Sequence, residues 1–168
     1  MKFLILAALF LLSAPPIVPA DMLRCTTKDW TLAAKAAEAV DAPLLVLYTA
    51  DDCNYCERLK REVLEPLFGH EQAKPLAVVR EVDINTGGKM TDFDGELIRS
   101  RLFKKRYQIF ATPTLLILDS SGRLLARPLV GYNSKNEYIP QLESLLEESG
   151  RAEHAAVLQR QSAASFRL

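Results

Sequence analysis

Apolar positions along this chain fall into two periods, and together they predict an alternation of helices and strands. Trp30, Ala33, Ala34, Ala37 and Val40 recur at helical spacing behind Asp29, a good capping residue, so a helix is predicted from Trp30 to Val40. Asp41-Ala42-Pro43 ends it. Leu44 to Thr49 is apolar at nearly every position, as for a strand buried on both faces. A second helix is predicted from Cys53 to Glu65, with Leu59, Val63 and Leu64 on one face. Asp52 is its expected cap. Pro66 kinks or restarts that helix, Leu67 and Phe68 continue its face, and Gly69 permits its end. A second strand is expected from Leu76 to Ile84, where Val82 and Ile84 alternate with Glu81 and Asp83.

The second half of the chain continues the alternation and closes on a hairpin. Residues 85–95 read as a loop by composition, and a helix is expected from Glu96 to Tyr107 with Leu97, Ile98, Leu102 and Phe103 inward. Gly87-Gly88-Lys89 lacks the leading glycine and spacing of a P-loop. Leu115 to Leu118 is a third strand, with Pro113 at the start of the segment, where proline is tolerated. Asp119 to Gly122 reads as a hairpin turn, and Arg123 to Val130 as a returning strand that Pro128 marks as an edge. Ser134-x-x-Glu137 has the form of a capping box before a last helix carrying Ile139, Leu142, Leu145 and Leu146. Pro140 allows a start one turn later, and Gly150 is the expected end. Helix, strand, helix, strand, helix, strand, strand, helix is an α/β order finishing in a hairpin.

The N-terminus follows a different logic. Lys2 precedes an apolar run from Phe3 to Leu12, about ten residues and short of the roughly 20 a membrane helix needs. Val18 and Ala20 then fit cleavage before Asp21, with an uncleaved anchor as the alternative. The expected organisation is a signal peptide over 1–20, one domain over 21–150 and a C-terminal tail over 151–168. A lipoprotein reading fails because Arg24, not a small residue, precedes Cys25. The last residues carry no ER-retention signal, so the expected compartment is a bacterial periplasm, where cysteine pairs oxidise. The chain of 168 residues suffices for one domain, and its formal net charge is +0. Acids and bases are interspersed, without the clustered basic face of a nucleic-acid binder.

Cys53-Asn54-Tyr55-Cys56 carries the chemistry. Cys53 falls at a predicted helix N-terminus, where free backbone N–H groups and the helix dipole stabilise a thiolate. Cys56 lies about one turn further in, shielded and within reach. The arrangement suits attack by Cys53 on a disulfide and resolution by Cys56. Asp51 and Asp52 oppose the thiolate, so the net direction of its shift stays open. A zinc site would need a second pair of ligands, and Cys25, His70 and His154 are not at ligand spacing. A purely structural disulfide would close too small a loop to constrain the unfolded chain much. Cys25 is the odd one of 3 cysteines, either an inert thiol or a reactive or bridging one. Glu81 and Asp83 share a strand face. That face is either solvated at the strand end, or it turns Glu81 toward the cysteines as a proton acceptor. His70 reads as a surface residue.

In these residues the chain resembles the thioredoxin superfamily. Cys53-Asn54-Tyr55-Cys56 is similar to its active site and Thr112-Pro113 to its cis-proline motif, over about Pro43 to Glu147. More narrowly it resembles exported thioredoxin-related proteins of the SoxW type, through the Cys-x-Tyr-Cys-x-x-Leu stretch with Glu62-Val63-Leu64, through Met90 to Gly95, and through Thr112 to Leu115. The resemblance implies a thioredoxin-like fold: a central mixed sheet flanked by helices, with an extended loop before the cis-proline strand. It implies a cis Thr112–Pro113 bond packed against the cysteines, and a Thr112 backbone that pairs with an extended substrate segment. Tyr55 is expected to cover the disulfide. Two departures stand out. Leu47 occupies the place of the family's buried Asp, and Asp-Cys-Asn-Tyr-Cys replaces Trp-Cys-Gly-Pro-Cys. Deprotonation of Cys56 therefore falls to water, Glu57 or Glu81. The expected function is an exported thiol–disulfide oxidoreductase reducing protein disulfides as a monomer. No cofactor or metal is expected, and a membrane electron donor would keep the pair reduced. A disulfide oxidase or isomerase on the same fold, and a Cu(I)-binding or adaptor protein, are the competing readings.

Overall fold

The computed structural model describes residues 27–69, 75–85 and 87–165. The signal-peptide expectation, Cys25 and His70 lie outside the described residues. A four-stranded mixed sheet in the order β2-β1-β5-β6 forms the centre. Its strands are β1 (Leu44–Thr49), β2 (Val78–Asp83), β5 (Thr114–Leu118) and β6 (Leu129–Val130). β1 runs parallel to β2 and antiparallel to β5, which pairs antiparallel with β6.

Strand alternation divides the core in two. Leu45, Leu47, Val79, Leu115 and Ile117 point to one face, where Leu59, Val63, Leu64, Leu142 and Leu145 cover them. These covering residues come from α2 (Asn54–Leu59), a π-helical turn (Lys60–Leu64) and α5 (Lys135–Ser165). Leu44, Val46, Tyr48, Val78, Val82 and Leu116 point to the other face, under Trp30, Ala33 and Ala37 of α1 (Trp30–Val40) and Phe103 of α4 (Ser100–Arg106). Trp30 and Phe103 stack there with ring centroids 4.6 Å apart, and the Trp30 Nε1–H points at Met90 Sδ. Asp29 caps α1 as expected, accepting from the Thr31 and Leu32 N–H groups.

Several elements depart from the sequence reading. The π-helical turn precedes α3 (Glu65–Phe68), which has Pro66 in its first turn; the Glu65 N–H reaches back to the Lys60 carbonyl. Pro66 has no N–H, and its ring would crowd the Glu62 carbonyl in a continuous α-helix, so the wider turn accommodates it. The extended loop before the cis-proline strand contains a small hairpin instead, β3 (Lys89–Thr91) and β4 (Leu97–Arg99), with Met90 opposite Ile98. The helix drawn from Glu96 therefore begins at Ser100. Leu97 and Leu102, expected inward, are exposed, while Phe103 is fully buried. The returning strand shrinks to β6 plus a bridge between Leu118 and Leu124, since Pro128 offers no N–H to the sheet. Strand β2 starts at Val78, leaving Leu76 exposed. α5 begins at Lys135 with Pro140 inside it and passes through Gly150 to Ser165. The Glu137 carboxylate accepts from Asn133 Nδ2 instead of closing a capping box. No helix among the described residues is long and apolar enough to cross a membrane.

Candidate redox site

β1 ends at Thr49, and the chain turns through Asp52, whose φ of 57° is left-handed. Such a residue cannot cap, which corrects the expected role of Asp52; Asn and Asp tolerate this conformation best. The cap is Cys53 itself, whose Sγ accepts from the Cys56 N–H at 3.2 Å. The Cys53 carbonyl accepts from the Cys56 and Glu57 N–H groups at 2.9 and 3.1 Å. Cys53 and Cys56 are joined in a disulfide with Cα atoms 5.2 Å apart. Cys56 is 1 % exposed and Cys53 is intermediate. One cysteine is thus partly exposed at a helix N-terminus, and the other is enclosed. Tyr55, between the two cysteines in the chain, is 57 % exposed.

The Thr112–Pro113 peptide bond is cis, and the Pro113 carbonyl accepts from the Gly131 N–H at 2.8 Å. That bond ties the segment before β5 to the turn after β6. The same turn is held to the active-site helix from the other side. The Tyr132 hydroxyl donates to Glu62 Oε2 at 2.5 Å, and Arg58 donates from Nε to Glu62 Oε1 at 3.2 Å. The Arg58 guanidinium lies 5.4 Å from the Tyr132 ring centre. Burial, reinforced by the bond to Glu62, pushes the Tyr132 phenol up to about 12. The Tyr132 and Arg58 bonds hold the Glu62 carboxyl below the usual carboxylate range, against a smaller opposing effect of burial. None of these three is expected at the site from the sequence, because Tyr132 and Glu62 lie 70 positions apart.

Behind Cys53 opens a cavity of about 470 Å³ whose wall includes Thr49, Asp51, Asp52, Glu57, Glu81 and Asp83. Glu81 stands opposite Leu47 in the parallel register, on the sheet face that the cysteine helix covers. Its side chain is 18 % exposed, so it is neither free in water nor sealed. Its Oε1 accepts from Thr49 Oγ1 at 3.0 Å and from Lys60 Nζ at 3.3 Å. Lys60 also pairs with Glu57 at 2.6 Å. Burial alone would lower the Lys60 pKa, but its bonds to Glu57 and Glu81 outweigh that and raise it. Lys60 was missed in the sequence; its i,i+3 spacing from Glu57 was the available hint. Among the described residues no three His, Cys, Asp or Glu side chains converge as a metal-binding group.

The chain belongs to the thioredoxin-like domain family, whose pattern matches residues 30–146. A thioredoxin from Thermus thermophilus has a similar fold, with a TM-score of 0.53 at 20% identity, over 77% of this chain and 91% of that one. A DsbH oxidoreductase aligns with a TM-score of 0.50 at 17% identity, over 79% of this chain and 91% of that one. The periplasmic thioredoxin SoxS from Paracoccus pantotrophus aligns with a TM-score of 0.45 at 16% identity, over 64% and 98%. No curated protein matches the sequence.

Proposed function

We propose that this protein is an exported, periplasmic thiol–disulfide oxidoreductase of the SoxW type that reduces protein disulfides as a monomer. The observation that carries the reading is the asymmetry of the Cys53–Cys56 pair. Cys53 is partly exposed at a helix N-terminus, and Cys56 is buried within bonding distance. Cys53 thiolate attacks one sulfur of a substrate disulfide; that S–S bond breaks and a substrate thiolate leaves. Cys56 gives up its proton and attacks Cys53 Sγ, the mixed disulfide breaks, and the second substrate thiolate leaves. Two electrons have passed to the substrate, and the protein ends in the Cys53–Cys56 disulfide.

Glu81 is the proton acceptor for Cys56. It shares the cavity behind Cys53, faces the cysteine helix and sits opposite Leu47. A carboxylate from β2 thus takes over the task that the family gives to an Asp on β1. Glu57, 66 % exposed and ion-paired with Lys60, holds that cation beside Glu81. Thr112, Pro113 and Tyr55 shape the substrate groove, and the Thr112 backbone offers an edge to an extended segment. Export is supported by the apolar run from Phe3 to Leu12 and the cleavage pattern ending at Ala20. In that compartment a membrane partner must supply electrons, because thiols there are otherwise oxidised. No cofactor and no nucleic acid take part.

The test is the reduction potential of the Cys53–Cys56 pair against glutathione buffers. A value near roughly −270 mV supports a reductase waiting on a dedicated donor. A value near roughly −120 mV marks an oxidant that donates disulfides and overturns the reductase reading.

A further inference from the structure

A second cavity, of about 580 Å³, opens between the β3–β4 hairpin, the start of α4 and the end of β2. Its charge is one-sided: Lys89, Arg99, Arg101 and Lys104 line it against the single acid Asp83. None of the four cations has an ion-pair partner among the described residues. Their placement works against the fold. Lys89 and Arg99 are direct cross-strand partners, a position where like charges repel. Arg101 stands in the first turn of α4, the wrong end of the helix dipole for a cation, and one turn from Lys104. The Ser100 N–H donates to the Gly88 carbonyl at 3.1 Å, which fixes the loop to the helix start.

Tyr48 forms part of the same wall. We infer that this cavity binds a small organic anion carrying at least two phosphoryl or carboxylate groups, held by the four cations. The volume lies within the roughly 300–1,000 Å³ of small-molecule sites. The recess opens at the C-terminal end of a parallel strand, where ligands of open α/β sheets collect. Asp83 borders this cavity and the one behind Cys53, so the ligand would sit next to the redox site without occupying it. The inference does not depend on the redox reading.

The test is calorimetric titration of the full chain with inorganic pyrophosphate and, separately, with citrate, ionic strength being held constant with sodium chloride. Saturable binding of one anion per chain is expected; the preferred probe tells phosphoryl from carboxylate recognition. Arg99→Gln with Lys89→Gln should weaken it by about tenfold or more, as for lost charge-assisted bonds. Both positions are exposed on a three-residue hairpin strand, so the fold survives. Failure of both anions to saturate at millimolar concentration, binding indifferent to these substitutions, or uptake of an acidic polypeptide alone would overturn the assignment.

Discussion

Replacing Asp92 by Asn measures what holds the β3–β4 hairpin to the body of the fold. Asp92 sits just after β3 with its side chain 4 % exposed, and it pairs with the 44 % exposed guanidinium of Arg106. Arg106 NH1 donates to Oδ1 at 2.8 Å, NH2 donates to Oδ2, and the Phe93 N–H also donates to Oδ1, at 2.9 Å. Breaking a fully buried pair costs about 3–5 kcal/mol, and an exposed pair is worth at most about 1. Here one partner is buried, while the other returns half to water. The Asn keeps the bond from Phe93 but presents no charge to Arg106. The expected loss is about 2 kcal/mol, a drop of about 4–8 °C in melting temperature for a chain of this size. The acid dependence follows from the same contacts. The bonds to Arg106 outweigh burial and hold the Asp92 carboxyl below its ordinary value in the folded state. Its stabilisation is therefore complete above the unfolded carboxylate pKa, about 3.9, and is lost as pH falls toward the lower folded value. Urea unfolding of the oxidised wild type and Asp92→Asn between neutral pH and pH near 3 should show a gap that narrows in acid. A gap below about 0.5 kcal/mol at neutral pH, or one that stays constant into acid, would refute the reasoning.

Glu81→Gln should slow the Cys56 step about 100-fold at neutral pH, the low end of general-base catalysis because water enters the cavity. Stopped-flow reduction of a disulfide peptide should then show a rate that climbs with pH in the variant; an unmoved pH profile sinks the proton-acceptor role. Gly122→Ala should destabilise by about 2–3 kcal/mol, because φ is +79° and the new Cβ would meet Phe93 Cδ2 at 2.3 Å. The Phe93 ring is stacked on Trp30 and cannot swing clear, so an unchanged thermal melt would contradict the packing described. Tyr55→Ala should raise KM for a protein disulfide about fivefold while leaving exchange with cystamine unchanged. Equal effects on both substrates would remove Tyr55 from the groove.

The long-period features of this fold are legible in the sequence, and the short-period ones are not. α1 and β1 keep their predicted bounds because each carries a full apolar pattern and a clear terminator, Asp29 before one and Pro43 before the other. The hairpin at 89–99 is invisible because three-residue strands hold too little alternation, while Leu97, Ile98, Leu102 and Phe103 mimic a helical face. Only the pairing of Met90 with Ile98 shows which of them turn inward. Gly150 does not stop α5 because a glycine inside a helix costs only about 1 kcal/mol and no proline follows it. In the site, the cysteine pair and Thr112-Pro113 are local motifs and were readable. The face of Glu81 was readable from strand alternation, but its partners were not. Thr49 lies 32 positions away and Lys60 lies 21; the sheet register brings Thr49 to Glu81, and the packing of the cysteine helix on the sheet brings Lys60.

The central claim is that Cys53 attacks and Cys56 resolves. It is tested most directly by offering a disulfide-bonded protein substrate to the Cys56→Ser and Cys53→Ser variants, after reduction, and looking for a mixed disulfide on a non-reducing gel and by mass spectrometry. The account predicts a stable adduct through Cys53 in Cys56→Ser, none in Cys53→Ser, and turnover lost in both. An adduct formed through Cys56, or disulfide reduction that survives in Cys53→Ser, would contradict it.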